Sequence, residues 1–151
     1  MKKKFLALAF IVVGTLAGAA YAQRNVTPAI DRDPLMESDA KHNPDVAWQS
    51  FKLKKAYKGV LSRFEETYAA YPEFSKIDEF LYLAGMSSFY LSDNKGKQKV
   101  DLKLEKEKDK FAPTKLREDA VAYLSLLVEK HPDSKYKDEA AKTLELIKTS
   151  K

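Results

Sequence analysis

Few side chains in this sequence are of the kinds that do chemistry, and their spacing keeps them apart. There are two histidines, His42 and His131, and no cysteine. His42 stands in a polar stretch. His131 directly precedes Pro132, a position that suits a packing or capping role for the ring. Without thiols, a cysteine nucleophile, a disulfide framework and most transition-metal sites drop out. Carboxylates pair at Asp78-Glu79 and Asp138-Glu139. Adjacent residues on a helix point in different directions, so neither pair converges as a general acid and base would. Both pairs read better as first-turn acids facing the positive end of a helix dipole. Glu65-Glu66 and the run Glu105, Glu107, Asp109 read as solvated surface. No glycine-rich phosphate loop and no serine-centred elbow occurs. The expectation is no catalytic residue, no metal site and no cofactor.

The ends and the charge narrow the class. Residues 1–22 open with Lys2, Lys3 and Lys4, continue as an apolar run from Phe5 to about Ala17, and close on Ala20-Tyr21-Ala22. That is the layout of a cleaved export signal, with Gln23 as the expected mature start. The apolar run is shorter than the ~20 residues that span a bilayer. The expected location is the periplasm. Leu16-Ala17-Gly18 would precede a lipid-bearing cysteine in a lipoprotein, but position 19 is alanine, so no direct membrane anchor is expected. The 129 residues from Gln23 onward hold 24 basic and 22 acidic side chains, a net of +2. So balanced a surface gives no reason to expect nucleic acid as a partner.

Helices must position everything else. Residues 23–43, with Pro28 and Pro34 among polar neighbours, read as a flexible polar lead-in, and a helical domain is expected over 44–151. Its first helix is expected to begin at Asn43 as cap and Pro44 as first helical residue. Tyr57, Val60, Leu61, Phe64 and Tyr68 form its stripe, and Pro72 ends it. The next run, capped by Ser75, is apolar or small nearly all round from Phe80 to Leu91, which marks a helix covered on more than one side. Gly85 within it would admit a close neighbour. Residues 93–113 hold Gly96, Pro113 and, from Asp93 to Lys110, seven lysines against five acids. They are expected to form a long charged loop. "KVDLKL" alternates inside it, placing Val100, Leu102 and Leu104 on one side of an extended chain, as a short strand, a segment laid against the helices or a partner-facing edge. A further helix follows Thr114 as cap, with Leu116, Ala120, Val121, Leu124, Leu127 and Val128 as stripe, until Pro132. The last follows Ser134, with Tyr136, Ala140, Leu144 and Ile147 on one face.

One punctuation occurs twice. Shifting the chain by 60 residues lays Pro72 on Pro132, Tyr71 on His131, Phe64 on Leu124 and Asp78-Glu79 on Asp138-Glu139. Each break consists of an amphipathic helix, a ring, proline, a few small or polar residues, then an acidic first turn. Counted back from Pro132, Ala120, Leu124 and Leu127 match the small-then-large pattern of a tetratricopeptide second helix. Val60, Phe64 and Thr67 match it more loosely before Pro72. The 60-residue shift exceeds the usual ~34 because the charged segment is inserted between units.

The stretches "YPEFSKIDEFLYLAGMSSFYL" and "LREDAVAYLSLLVEKHPDSKYKDEAAKTLELIK", with the insertion between them, resemble the BamD-like family of periplasmic tetratricopeptide proteins. The resemblance spans roughly residues 57–147. Where that family carries about five repeats, this chain has room for about two. The resemblance implies an all-α array of tetratricopeptide-like hairpins, about four helices here, in an envelope protein linked to outer-membrane assembly. The function it implies is non-enzymatic: recognition of a protein or peptide of the envelope, with peripheral association to an outer-membrane complex. Trp48, Phe51, Tyr57, Tyr82, Phe89 and Tyr90 are the aromatics available for core or groove. Val100, Leu102, Leu104, Tyr82 and Tyr90 are the candidate partner-binding residues. A small periplasmic enzyme or ligand-binding helical bundle is the alternative, and a structural fragment stable only with its partner is a third reading.

Overall fold

The computed structural model describes residues 33–149, all of whose regular structure is helical. The expected export signal over 1–22 and the start of the lead-in lie outside the described residues. The first helix, α1, is Pro34–Gln49, and a π-helical turn, Ser50–Lys54, extends it. Then come α2 (Tyr57–Ala70), α3 (Ile77–Ser92), α4 (Glu105–Phe111), α5 (Pro113–Lys130) and α6 (Lys137–Thr149). The all-α, hairpin-based reading holds, with more helices than the four expected. Each long helix packs chiefly on its neighbours in the chain: α1 on α2, α2 on α3, α3 on α5 and α5 on α6. The face of α3 against α5 is the most extensive of these.

The two breaks are the same structure at the level of single hydrogen bonds. At the first, Tyr71 N–H donates to Thr67 O, Phe74 N–H to Tyr71 O, Ile77 N–H to Phe74 O and Phe80 N–H to Lys76 O. At the second, His131, Ser134, Lys137 and Ala140 repeat those four bonds at a constant shift of 60. Proline has no N–H and pushes its predecessor out of the helix, so each helix stops and the turn restarts the next. The pattern residues before each proline, Val60, Phe64 and Thr67 and then Ala120, Leu124 and Leu127, are all buried.

The expected central helix is central. In α3, Ile77, every residue from Phe80 to Ser88, Leu91 and Ser92 are buried. Gly85 lets α5 approach: a Cβ there would stand 2.5 Å from Leu124 Cγ. Burial of this helix by α2 on one side and α5 on the other supplies the hydrophobic term that makes so small an array stable.

Several local expectations are corrected. The first helix starts at Pro34, inside the expected lead-in, with Asp33 Oδ1 accepting N–H bonds from Leu35 at 2.9 Å and Met36 at 3.4 Å. Asp33-Pro34 offers the same cap-then-proline signal as Asn43-Pro44, one helix length earlier. Asn43 turns its side chain to α2, donating to Thr67 Oγ1 at 2.9 Å. Pro44 is buried within the helix. The expected continuous helix to Tyr71 is interrupted at Lys55, whose φ of 49° is left-handed. Neither Ser75 nor Thr114 caps. Ser75 donates its hydroxyl to Glu37, and Pro113 takes the first position of α5 after Ala112. Tyr68 is exposed, lying over the Phe64 ring.

The segment 93–113 is not loop throughout: turns and bends over residues 93–104 lead into α4. "KVDLKL" forms no strand. Asp101 Oδ1 captures Lys103 N–H at 3.0 Å, and Leu104 N–H returns to Asp101 O at 3.1 Å. This is a side-chain-stabilised turn that outcompetes extension. The segment is laced to the start of α2. Lys97 N–H donates to Lys55 O at 2.9 Å, and Gly59 N–H donates to Gln98 Oε1 at 3.1 Å. Lys58 Nζ donates to Lys99 O at 2.6 Å and to both oxygens of Glu107 at 2.7 Å.

Candidate functional site

The aromatic side chains gather into one band that crosses from helix to helix. Tyr136, at the entry to α6, stacks on Tyr82 of α3 with ring centroids 4.7 Å apart and planes 16° off parallel. Trp48 of α1 lies 6.1 Å from Tyr82 and 5.9 Å from Tyr136. Phe51 of the π-helical turn meets Trp48 edge-on at 5.8 Å, stacks on Tyr90 at 5.9 Å and approaches Tyr57 at 5.4 Å. Tyr90 then contacts Tyr57 at 5.2 Å and Phe89 at 6.0 Å. These separations lie in the range where ring pairs attract beyond their buried area. Tyr57 and Tyr82 form the buried floor, while Trp48, Phe51, Phe89, Tyr90 and Tyr136 are half-buried and keep an accessible edge. The half-exposed rings come from α1 and its π-helical extension, from α3 and from the entry to α6.

Carboxylates hold the band from between the rings. Glu79 Oε1 accepts from the Trp48 indole N–H and, at 3.0 Å, from the Tyr136 hydroxyl. Asp78 accepts the Ser134 hydroxyl at 2.6 Å. The acidic first-turn pair of α3 therefore ties the second break onto the first repeat, in addition to facing its own helix dipole. Burial pushes the Tyr82 hydroxyl well above the ordinary tyrosine range, and its hydrogen bond to Glu139 adds to the effect. Burial likewise raises Tyr136, with the nearby Lys135 opposing and Glu79 reinforcing. These hydroxyls stay neutral donors throughout the physiological range. Ammonium groups sit over the exposed rings: Lys52 at 4.2 Å from the Trp48 centroid, Lys135 at 4.9 Å from Tyr136, and Lys95 at 5.9 Å from both Phe89 and Tyr90. Such cation–π contacts are worth about 0.5–1 kcal/mol at exposed sites.

Of the candidate partner-binding residues, Tyr82 and Tyr90 fall in this band, linked through Trp48 and Phe51. Val100, Leu102 and Leu104 do not join it. Val100 packs partly against the core, and Leu102 and Leu104 are exposed on the insertion. Sequence reasoning placed Tyr136 only on a packing stripe and read Glu79 only as a first-turn acid. The 60-residue shift carries part of the missing signal: Glu79, equivalent by that shift to Glu139, accepts from Tyr136 of the other repeat unit. Lys52, Lys95 and Lys135 have no sequence signature beyond lying near aromatic residues. Among the described residues no group of three histidine, cysteine or acidic side chains is placed to share a metal ion, and no helix is long and apolar enough to cross a membrane.

No curated protein and no solved structure gives a significant match. A profile of the YfiO family, described as outer membrane lipoprotein, matches residues 20–150, nearly the whole chain and both repeat units. The chain belongs to the YfiO (BamD-like) family of outer membrane lipoproteins.

Proposed function

We propose that the protein is an exported, non-enzymatic scaffold of the cell envelope that binds protein through the aromatic band, in the service of outer-membrane protein assembly. The observation that carries this reading is the half-buried row Trp48, Phe51, Tyr90 and Tyr136, whose rings are fixed from below by Tyr57, Tyr82 and Glu79 and left open at one edge. Rigid aromatics with a polar handle are the commonest anchors of protein recognition, because they bury large areas at small entropic cost. A partner segment lays apolar side chains between the rings. Its acidic groups or chain carboxylate take up Lys52, Lys95 and Lys135. No bond is made or broken. Membership in a family of outer membrane proteins supports an envelope partner, and the export signal read at residues 1–22 supports the periplasmic side.

The test is affinity capture from the envelope, followed by titration of the captured protein, once identified and purified, against wild type and a Lys52→Glu, Tyr90→Ser variant. Trp48 is the sole tryptophan and sits in the band, so its emission reports contact directly. The expected result is a saturable change in Trp48 emission with wild type and at least a tenfold weaker response with the variant, in line with the loss of one anchor ring. Turnover of a small substrate together with no captured partner would replace this reading with the enzyme alternative.

A further inference from the structure

We propose that the face built from the π-helical turn and the 93–113 insertion is a docking surface for an anionic lipid membrane. It borders the aromatic band at Lys52 and Lys95 and otherwise uses residues outside it. Residues 52–58 and 93–110 hold eleven lysines and five acids, whereas the remainder of residues 33–149 holds ten basic and sixteen acidic side chains. The charge is thus gathered on one region of a body that is neutral as a whole. The backbone bonds from Lys97 to Lys55 and from Lys58 to Lys99 bring the two segments together. The acids of the region are largely spent inside it. Glu107 is taken by Lys58, Glu105 by Lys108, and Asp93 by Lys95 and Arg117. Among the described residues, Lys54, Lys55, Lys97, Lys103 and Lys106 are exposed and have no carboxylate within salt-bridge distance.

Three leucines project among these lysines. Leu53 is 75% exposed, Leu102 45% and Leu104 54%. Leu53 lies at the end of the π-helical turn, Leu102 in a hydrogen-bonded turn and Leu104 at the entry to α4. Residues on turns suit a flat, fluid partner better than one that fills a groove. The cavities between α5 and α6 and between α1 and α2 are lined by other residues. Lysines at a lipid surface attract anionic headgroups, and apolar side chains among them enter the headgroup–acyl boundary. A nucleic acid would use the charge and leave the leucines in water. The clamps to α2 hold the surface in shape beforehand, so little ordering entropy is lost on contact.

The test uses the protein as processed by the producing cell, sedimented with vesicles of phosphatidylcholine mixed with phosphatidylglycerol and, separately, with vesicles of phosphatidylcholine alone. Binding to the anionic vesicles only, falling as salt is added, is the expected result. Each surface lysine contributes roughly fivefold to partition, so the triple variant Lys54→Gln, Lys97→Gln, Lys103→Gln binds roughly a hundredfold more weakly. A Leu53→Ser, Leu102→Ser variant keeps the salt dependence and binds more weakly at every salt concentration. All five side chains are exposed, and an unchanged helical circular dichroism spectrum verifies the fold of each variant. A Tyr90→Ser variant, which removes an anchor ring of the aromatic band and leaves every lysine of this face in place, retains most vesicle binding, which separates failure of this inference from failure of the proposed function. Absence of binding to anionic vesicles, equal binding to neutral ones, or undiminished binding by the triple variant overturns the proposal. So does wild type that ignores vesicles yet holds an acidic protein through these lysines.

Discussion

Gly85 carries more of the architecture than its size suggests. A methyl group added there meets Leu124 Cγ at 2.5 Å and Cδ2 at 2.6 Å, with Ala120 O at 3.5 Å. Leu124 is fully buried and cannot swing aside. Alanine would gain about 1 kcal/mol of helix propensity, but overpacking a tight interface costs about 1–3 kcal/mol. Gly85→Ala should therefore lower stability, by up to about 2 kcal/mol in the balance of those terms. The interface supplies its own control. Leu124→Ala alone should cost about 2–5 kcal/mol, and the same change made in the Gly85→Ala background should cost clearly less, because the added methyl fills part of the void. Additive denaturation free energies in that cycle would mean that α3 and α5 do not meet at this point. Sequence alone marked Gly85 as a place for close approach. It could not name Leu124, because the pairing partner of a small residue is decided by packing across the hairpins.

The insertion shows what an element can hide from sequence. Its lysines and acids read as a solvated loop, yet Glu107 accepts from Lys58 and from the Asp101 N–H, and Asn94 Oδ1 accepts the Val100 N–H. These choices of partner, six residues away or across to α2, leave no periodic trace. The same is true of Lys55, a non-glycine residue in the left-handed region, where no glycine or proline announces the break. Its carbonyl is occupied by Lys97 N–H, and Gly96, at φ +93°, lies so close that a Cβ would stand 2.7 Å from that oxygen. The clamp has a pH signature. The Lys58 hydrogen bond, with the Asp101 N–H second, holds the Glu107 carboxyl below its usual value of 4.5. A depressed folded value means that the contribution is complete above that value and is lost as the pH falls through the lower, folded one. The Asp101 amide should accordingly be protected from hydrogen exchange, relative to its intrinsic rate, at neutral pH and lose that protection in acid. Glu107→Gln should remove most of the protection at neutral pH and flatten the pH dependence. Full protection retained in the variant would show that α4 is held to α2 by other contacts.

At the scale of the whole molecule, the 60-residue shift was the most legible feature, since proline, the acidic first turn and apolar spacing are local and all three agree at each break. The start of α1 was misplaced for a related reason: Asp33-Pro34 and Asn43-Pro44 are equivalent local signals, and only the tertiary bond from Asn43 to Thr67 distinguishes them. Two of the five candidate partner-binding residues, the tyrosines, share the band because both stand on the central helix α3. The other three lie on an insertion that no repeat constrains. The array should also respond as one body. The hairpin on each side of α3 depends on it, and Trp48 touches rings of α3 and of the second break. Trp48 emission and helical circular dichroism should then trace a single urea transition. Phe80 is fully buried in α3 and meets Phe64 edge-on at 5.8 Å. Phe80→Ala should cost about 3–5 kcal/mol and move both curves together, since neither hairpin can keep its core when the shared helix is hollowed. If the tryptophan signal melted ahead of the helix signal in wild type or in this variant, the hairpins would be separate folding units, and the band, which needs both, would exist only while each happened to be folded.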